Sequence, residues 1–232
     1  MRGVAHVSHG STAKIAVLTM AGIFLGAASV CRGDVILQTN AQGKQEVIQT
    51  DAIVVQENSY VVVYKHFDLK QRRVVKVSLN QGSLPYQVVR SGPTQRQEIV
   101  NLWKQFGYTV TVAEESGKTV TIYDAYLDFF PPAGGVFLES VPARTNLPLL
   151  LTSGGANEVD FSDIATIQVE GSQLTVKLTN GRVEAGKLIP PTSRPAIPHI
   201  MGITSRYAPA SSHVYDFSLP LSQVREIQFQ EN

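Results

Sequence analysis

Short runs of β-branched and aromatic residues, separated by polar turns, make up most of the chain beyond residue 34. Runs of this length and composition between turn-forming residues are typical of strands. The clearest are 35–37, 52–55, 60–64, 74–77, 108–112, 119–123 and 174–178. After the last of them, Asn180 and Gly181 favour a type I′ hairpin, because both residues accept positive φ. The pattern predicts a mainly all-β fold.

One segment has a helical period instead. Thr94 and Gln97 have the spacing of a capping box, which predicts the start of a helix over 94–106. A single apolar stripe follows at i, i+3, i+4 and i+7, formed by Ile99, Leu102, Trp103 and Phe106. Gly107 is expected to end the helix in the left-handed conformation. We expect Trp103 to be a core residue.

A weak internal repeat gives the chain its expected organisation. Segment 217–229 can be aligned with 67–79, and 159–169 with 219–229, while 110–118 parallels 174–182. The closing segments, 159–169 and 219–229, share an apolar spacing of three and then two, which predicts one helical turn leading into a final strand. The expected organisation is a signal peptide (1–33), three β modules (34–90, 108–172 and 173–232) and a connecting helix (91–107) between the first two modules.

Units of this form resemble the small SH3-like or Sm-like β-barrels, in which five strands include a short helical turn before the last. The resemblance rests on the repeat just described and covers most of the chain beyond residue 33. It implies repeated small barrel modules that bind or scaffold other molecules and catalyse no reaction.

The N-terminus has the three parts of a secretory signal. Arg2 and Lys14 precede an apolar stretch over 15–30, and small residues end it. The stretch is shorter than the ~20 residues that a membrane-spanning helix needs, although an uncleaved anchor is the alternative. Cleavage after Ser29 or after Gly33 fits the small-residue rule. Acylation of Cys31, the chain's one cysteine, would instead give a lipoprotein.

Charge and cysteine content narrow the class of protein. The chain has 20 Lys and Arg and 19 Asp and Glu, and loss of Arg2, Lys14 and Arg32 with the signal would leave 17 basic residues. No concentrated basic patch remains, which argues against a nucleic-acid partner. An exported chain without disulfides or glycosylation acceptors indicates a periplasmic or extracellular protein of a bacterial envelope.

The sequence contains no recognisable catalytic, cofactor-binding or metal-binding motif. His66, His199 and His213 are too far apart for the usual zinc spacing, and the alternative is a site in which His199, His213 and Asp216 converge across a loop. Four carboxylates attract attention as possible acid and base pairs. They are Asp124, Asp128, Asp160 and Asp163. For Asp160 and Asp163, capping of a helical turn is the better interpretation.

An aromatic and proline-rich segment provides the candidates for partner binding. Loops on a rigid scaffold often carry recognition residues, and this segment ends in Pro131 and Pro132 and is expected to be a loop. The candidates are Tyr126, Phe129, Phe130 and Phe137. The alternative is that the loop folds its aromatic side chains back over the mouth of a barrel.

The sequence therefore predicts an exported, non-enzymatic binding or scaffold protein of a bacterial envelope, with an envelope protein or polymer as its partner and no cofactor. The alternatives are an accessory subunit of an envelope complex and a hydrolase.

Overall fold

Strands dominate the structure, as the sequence predicts. The computed structural model describes residues 33–40, 42–50, 52–56, 61–68, 70–80, 86–133, 141–191, 195–210 and 214–230. This part of the chain contains sixteen strands and one α-helix, so the prediction of a mainly all-β fold is confirmed. The expected signal peptide, apart from Gly33, lies outside the described residues, as do Phe137 and His213.

Six strands precede the helix and form two antiparallel three-stranded sheets. The sheets have the orders β2-β1-β6 and β3-β4-β5. Only residues 50–52 separate β2 from β3, so one strand leads almost directly into the other sheet. The strands are β1 Val35–Thr39, β2 Gln45–Gln49, β3 Ile53–Gln56, β4 Val61–Asp68, β5 Arg73–Asn80 and β6 Tyr86–Val89.

Helix α1 spans Pro93–Phe106, and its ends differ from the expected ones. Pro93 occupies the first helical position, where its fixed φ and missing N–H cost nothing. The cap is therefore Gly92, whose N–H donates to Gln95 Oε1 at 3.0 Å. The capping box predicted at Thr94 and Gln97 is wrong.

Gly107 ends the helix for a different reason than expected. Its φ of −79° is not left-handed. A Cβ at Gly107 would lie 2.5 Å from Asp124 Oδ1 and 2.7 Å from the Trp103 carbonyl oxygen. Glycine is needed here because a neighbouring strand approaches too closely for any side chain.

The buried face of α1 is rotated from the predicted stripe. Ile99, Val100 and Trp103 are buried, whereas Phe106 is 40% exposed. The buried side chains pack in one cluster with residues of β3, β4 and β5 and of two later strands. The prediction that Trp103 is a core residue is confirmed.

The rest of the chain forms one curled ten-stranded antiparallel sheet. Its order is β10-β9-β13-β12-β11-β16-β7-β8-β14-β15. The strands are β7 Val110–Glu114, β8 Thr119–Phe130, β9 Asn146–Leu151, β10 Ala156–Asp160, β11 Ile164–Glu170, β12 Gln173–Leu178, β13 Val183–Leu188, β14 Ile197–Ile203, β15 Phe217–Pro220 and β16 Val224–Phe229.

The two halves of this sheet have the same spatial order of strands, but the chain order is circularly permuted, because the central strand comes last in one half and third of five in the other. Outwards from the centre, β16-β7-β8-β14-β15 form one half and β11-β12-β13-β9-β10 the other. In each half the outermost strand leads through a 3-10 turn, Leu221–Gln223 or Phe161–Asp163, back to the central strand. We call the first the host half and the second the inserted half, because β9–β13 lie between β8 and β14 in the chain.

The central strands β11 and β16 pair with each other and form the seam between the halves. Ile167 lies opposite Ile227, and Thr166 and Gln168 lie opposite Gln228 and Glu226. Ile167 and Ile227 also occupy equivalent positions in the two closing segments. The seam therefore has a local two-fold arrangement, and apolar residues of both halves join one core cluster.

The closing segments are oriented as the repeat predicts. Buried core residues are Ile164, Ile167, Val169, Val224 and Ile227, with Phe229 partly buried beside them, whereas Gln168 and Gln228 are exposed. The helical turn, however, comes earlier than expected and does not produce the spacing of three. A β-bulge does so, because the ladders shift register between positions 164 and 166 and between 224 and 226.

Two hairpins of the repeat have the same turn. Gly117 N–H donates to the Glu114 carbonyl, and Gly181 N–H to the Leu178 carbonyl, both at 3.0 Å. Gly117 and Gly181 have positive φ, but Asn180 does not. The prediction of a type I′ turn is therefore wrong, while the parallel between 110–118 and 174–182 is confirmed.

The alignment of 67–79 with 217–229 is wrong. Residues 67 and 68 end β4, which pairs along its length with β5 as a hairpin. By contrast, β15 pairs with β14, and β16 pairs with β7 and β11. The expected module boundary at 172 falls in the turn between β11 and β12, which pair with each other in the same sheet.

Candidate functional site

The aromatic residues proposed for partner binding lie on a strand. β8 extends to Phe130 because β14 pairs with it from Tyr123 to Phe130, so the predicted loop is wrong. Tyr126 and Phe129 are 0% and 2% exposed and belong to the core. Phe130 is partly buried, and its ring centroid lies 4.7 Å from that of His199. Phe137 is not among the described residues.

The histidines do not form a metal site in the described part of the chain. His199 Nδ1 lies 2.9 Å from Ser218 Oγ, and burial lowers the pKa of its ring. No group of three His, Cys, Asp or Glu side chains in the described ranges has the arrangement to hold a metal ion. Nor does any helix there have the length and apolar character to cross a bilayer.

Asp128 belongs to a buried ionic cluster that joins β4 and β5 to β8. The ammonium of Lys65 contacts one oxygen of Asp128 and donates to the Tyr126 hydroxyl at 3.0 Å. Lys76 lies 3.5 Å from the other carboxylate oxygen. All three charged side chains are less than a tenth exposed. Removing one member of such a cluster strongly destabilises a protein, because the remaining charge stays buried.

Asp124 is the second buried carboxyl of β8. It is 0% exposed, and Tyr215 donates a hydrogen bond of 2.7 Å to its Oδ2. Burial raises the pKa of Asp124 to about 7, against the opposing effect of that hydrogen bond. Trp103 stacks on the Tyr215 ring at 5.7 Å. Asp124 and Tyr215 are enclosed by the core and the end of α1, so we assign them a role in stabilising the fold.

Asp160 caps the 3-10 turn, as the sequence predicts. It accepts hydrogen bonds from the backbone N–H and the hydroxyl of Ser162 at 2.9 and 2.8 Å. The Tyr108 hydroxyl also donates to it, at 3.0 Å. Burial, followed by the charge of Asp160, raises the pKa of Tyr108 to about 12. The tyrosine is therefore a neutral hydrogen-bond donor at physiological pH.

A large concave surface opens where the pairing of β11 with β16 ends. That pairing stops at Thr166 and Gln228. The groove beyond this point has a volume of about 1190 Å³, and we call it the seam groove. Both halves contribute to it, as does Arg72 from the turn between β4 and β5.

The floor of the seam groove is apolar and its rim is polar. The floor is formed by Tyr108, Phe161, Ile164, Leu178 and Phe229. The Tyr108 and Phe161 ring centroids are 5.6 Å apart, edge to face. The rim carries hydroxyl, amide and basic side chains, including Arg72, Ser162, Thr166, Lys177, Thr179 and Gln228. None of the described residues that line the groove is acidic.

The rim includes a row of polar side chains that crosses four strands. Thr111, Gln228, Thr166 and Lys177 lie opposite one another on β7, β16, β11 and β12. Residues in such register stand side by side on one face of a sheet. The row leads across the seam to the open end of the groove, so an extended ligand can contact side chains from both halves.

Sequence reasoning did not find the seam groove. Its rim residues look like ordinary surface residues of four separate strands, and Arg72 comes from a distant hairpin. The one available signal was the repeat itself, since the groove lies at the end of one closing segment and the start of the other. Predicting it would have required knowledge that the two closing strands pair.

Comparisons with known protein families, with curated proteins and with solved structures find no match for this chain. Assignment of a function therefore depends on the geometry and chemistry of the groove.

Proposed function

We propose that this protein is a non-enzymatic binding or scaffold protein of a bacterial cell envelope, and that the seam groove holds its partner. The groove carries the proposal because it combines an apolar floor, a polar rim and the divergent ends of two strands. Sites that bind other molecules usually have this combination of a concave apolar surface with a few polar groups.

Support for export comes from the sequence. The basic start, the apolar stretch over 15–30 and the small residues that follow have the order of a secretory signal. The chain has one cysteine, Cys31, so it cannot form an incorrect internal disulfide in an oxidising compartment. We therefore place the protein in the periplasm or outside the cell.

We further propose that the chain consists of three SH3-like small β-barrel modules. The support is the spatial order of the strands, which is the same in the host half and the inserted half once the chain order of the inserted half is circularly permuted. The order β6-β1-β2, continued by β3-β4-β5, follows the same path if β2 and β3 count as one interrupted strand. On this proposal the second module is inserted into the third.

The partner that best fits the groove is an extended peptide segment with acidic and apolar side chains. Arg72 and Lys177 lie on a rim without acidic neighbours among the described lining residues, which favours a negatively charged ligand. An extended chain turns alternate side chains to opposite faces, so apolar ones can reach the floor while acidic ones meet the rim. We commit to a segment of an envelope protein.

The test is capture of the partner by the mature protein from an envelope extract, followed by titration with the purified partner. We expect the captured partner to be a protein, and recovery of one stoichiometric partner would indicate the alternative, a dedicated subunit of an envelope complex. Arg72→Glu with Lys177→Glu should weaken binding of the captured partner about tenfold or more, because each reversal replaces an attraction with a repulsion.

Lys187→Glu is the matched control, since Lys187 is exposed on β13 and does not line the groove. It should leave binding unchanged. Equal capture by the groove variant and the control would contradict the proposal. Recovery of a glycan polymer, with no protein, would also contradict it.

A further inference from the structure

The three residues before β15 pack against α1, and we call Val214, Tyr215 and Asp216 the cover segment. Val214 is buried in the cluster that contains Trp103, and the Tyr215 ring stacks on the Trp103 ring. Asp216 accepts hydrogen bonds from the N–H and the hydroxyl of Thr204 at 2.6 and 2.7 Å. The cover segment is therefore held by packing on the helix and by hydrogen bonds to the residue that follows β14.

The cover segment is also bonded to the buried carboxyl of Asp124. The Tyr215 hydroxyl donates to Asp124 Oδ2 at 2.7 Å, whereas Oδ1 is buried and has no hydrogen-bond partner among the described residues. No cation in the described ranges forms an ion pair with Asp124. A carboxylate offers about four acceptor sites, and only one of them is used here. The enclosed position therefore suits the neutral acid much better than the charged carboxylate.

The charged groups packed around Asp124 have partners of their own. Lys65 of β4 lies 5.9 Å from the Tyr215 ring centroid, but its ammonium contacts Asp128 of β8. On α1, Lys104 donates at 3.3 Å to the backbone carbonyl of the residue after β14. Neither lysine therefore neutralises an Asp124 carboxylate. The other titratable side chains of the surrounding elements are Tyr108, Tyr123, Tyr126, Tyr207, Tyr215 and Asp216.

Asp124 is joined to the floor of the seam groove as well. Gly107 lies so close to it that a Cβ there would be 2.5 Å from Asp124 Oδ1. The next residue, Tyr108, forms part of the groove floor, and its carbonyl accepts from the Ala125 N–H at 2.9 Å. Displacement of Asp124 therefore acts on Tyr108 through a hydrogen bond and through a covalent neighbour.

We propose that Asp124 is a proton-operated latch that regulates binding in the seam groove. With the carboxyl protonated, the cover segment is closed and Tyr108 is fixed in the groove floor. Loss of the proton favours an open state, in which Tyr215 moves away, water reaches the carboxylate and Tyr108 is no longer fixed. The inference rests on the proposed function, because it concerns the regulation of the same groove.

The latch has a defined pH range. Burial raises the pKa of Asp124 in the closed state to about 7, against 3.8 for a hydrated carboxyl in the open state. Below about pH 4 both states hold the proton, whereas between pH 4 and pH 7 only the closed state holds it, so rising pH favours opening. The ratio of open to closed molecules should increase roughly a hundredfold from pH 5 to pH 8. Burial raises the pKa of Tyr215 well above its usual value, so its hydroxyl remains a donor throughout.

Amide hydrogen exchange measures the opening without a ligand, even when open molecules are rare. The reporter is the Thr204 N–H, which Asp216 binds in the closed state. Wild type is compared at each pH with Asp124→Asn, which cannot ionise but still accepts from Tyr215. We expect the ratio of their exchange rates to rise roughly a hundredfold from pH 5 to pH 8. The exposed Asp163→Asn should behave like the wild type.

A second variant, Tyr215→Phe, keeps the ring and removes the donor. The closed-state carboxylate then has no hydrogen bond, so the pKa of Asp124 should rise further and the increase in exchange should continue above pH 7. A wild-type rate that follows Asp124→Asn at every pH would overturn the latch. Exchange of Thr204 as slow as that of the slowest amides of β12 would also overturn it, because the opening would then be unfolding of the whole molecule.

Binding in the groove is measured with the peptide acetyl-Glu-Val-Glu-Val-Glu-Val-amide, which has the proposed acidic and apolar pattern. The affinity for wild type, divided by that for Asp124→Asn at the same pH, should fall at least about threefold from pH 5.5 to pH 8, because only closed molecules bind. An unchanged ratio, or no binding to Asp124→Asn up to about 10 mM, overturns regulation of the groove.

The latch and the groove proposal fail separately. Arg72→Glu with Lys177→Glu is titrated with the peptide at pH 5.5, where the latch is closed, and should lose most of the binding. If it keeps the peptide, the groove is not the site, and exchange at Thr204 still decides whether the latch exists. If it loses the peptide but the affinity ratio does not change with pH, only the regulatory inference is wrong.

Discussion

At the scale of single residues, Asp124 is the most unusual group in the described structure. It combines complete burial, a φ of 50° and a pKa near 7. Gly107 has no room for a side chain because Asp124 lies against it, and Tyr215 connects Asp124 to Trp103 of α1. One carboxyl group therefore supports the end of the helix and its stacking partner.

The raised pKa of Asp124 has a defined effect on stability. The native pKa is above the value of 3.8 expected for an unfolded chain. The folded state therefore holds a proton that the unfolded state loses, and stability falls as the pH rises from about 4 to about 7. A pKa difference of this size corresponds to roughly 4 kcal/mol.

Asp124→Asn should remove this pH dependence. Asparagine has the same shape, tolerates positive φ and still accepts from the Tyr215 hydroxyl. We expect the variant to equal the wild type near pH 4 and to be more stable at pH 8, by up to roughly 4 kcal/mol. Chemical denaturation between pH 4 and pH 9 measures this, with the exposed Asp163→Asn as control. Parallel curves for Asp124→Asn and wild type would show that Asp124 does not titrate there.

At the scale of elements, the closing segments show how far the sequence could be interpreted. Their apolar spacing identified the buried positions correctly, because burial is encoded locally and both segments contain it. The cause assigned to that spacing was wrong, since a bulge and a one-turn helix both place residues three apart on one face. Spacing alone does not distinguish these two structures.

Paired substitutions across the seam test the equivalence of the two segments. Ile167→Ala and Ile227→Ala should each cost about 2–5 kcal/mol, because both side chains are buried and leave a cavity. The exposed Gln168→Ala and Gln228→Ala should stay within about 0.5 kcal/mol. Denaturant unfolding measures all four. Because Ile167 and Ile227 lie opposite each other, the double variant should be non-additive.

Similar costs for the isoleucine and glutamine variants would contradict the equivalence of the segments. An additive double variant would contradict contact between the two isoleucines across the seam.

The grouping of strands could not be predicted. The sequence predicts a loop at residues 126–130 because Pro131 and Pro132 follow them. In the structure β14, which comes after the inserted half in the chain, pairs with this segment. Which distant strands pair is not encoded in local composition. The seam groove depends on such pairing, and for that reason single residues did not indicate it.

At the scale of the whole molecule, the burial of the first described residues limits where the expected signal peptide can be cleaved. Gly33 is buried so closely that a Cβ would lie 2.4 Å from the Thr50 carbonyl oxygen. Asp34 is 0% exposed and accepts hydrogen bonds from Val54, Arg90 and Ser91. These contacts make residues 33 and 34 part of the first sheets, and we expect the mature protein to keep both.

Intact-mass analysis of protein from the native envelope tests this. The small residues allow a mature chain that begins between Val30 and Asp34, and we expect cleavage after Ser29, because that site retains Gly33. A start at Asp34 would contradict the preference for the earlier site, and a mass that includes residues 1–15 would contradict cleavage altogether. Added acyl mass on Cys31 would instead indicate a lipid anchor.

The insertion of one half of the large sheet into the other affects the order in which a newly made chain can fold. Synthesis delivers the N-terminal part first. β7 and β8 therefore appear before their partners β14 and β16, while all five strands of the inserted half are present once Leu188 has emerged. Until the last forty or so residues arrive, β7 and β8 expose unpaired strand edges, which are prone to aggregate. The nascent chain passes through an interval in which a holding chaperone would protect it, and that interval ends only when β16 closes the seam.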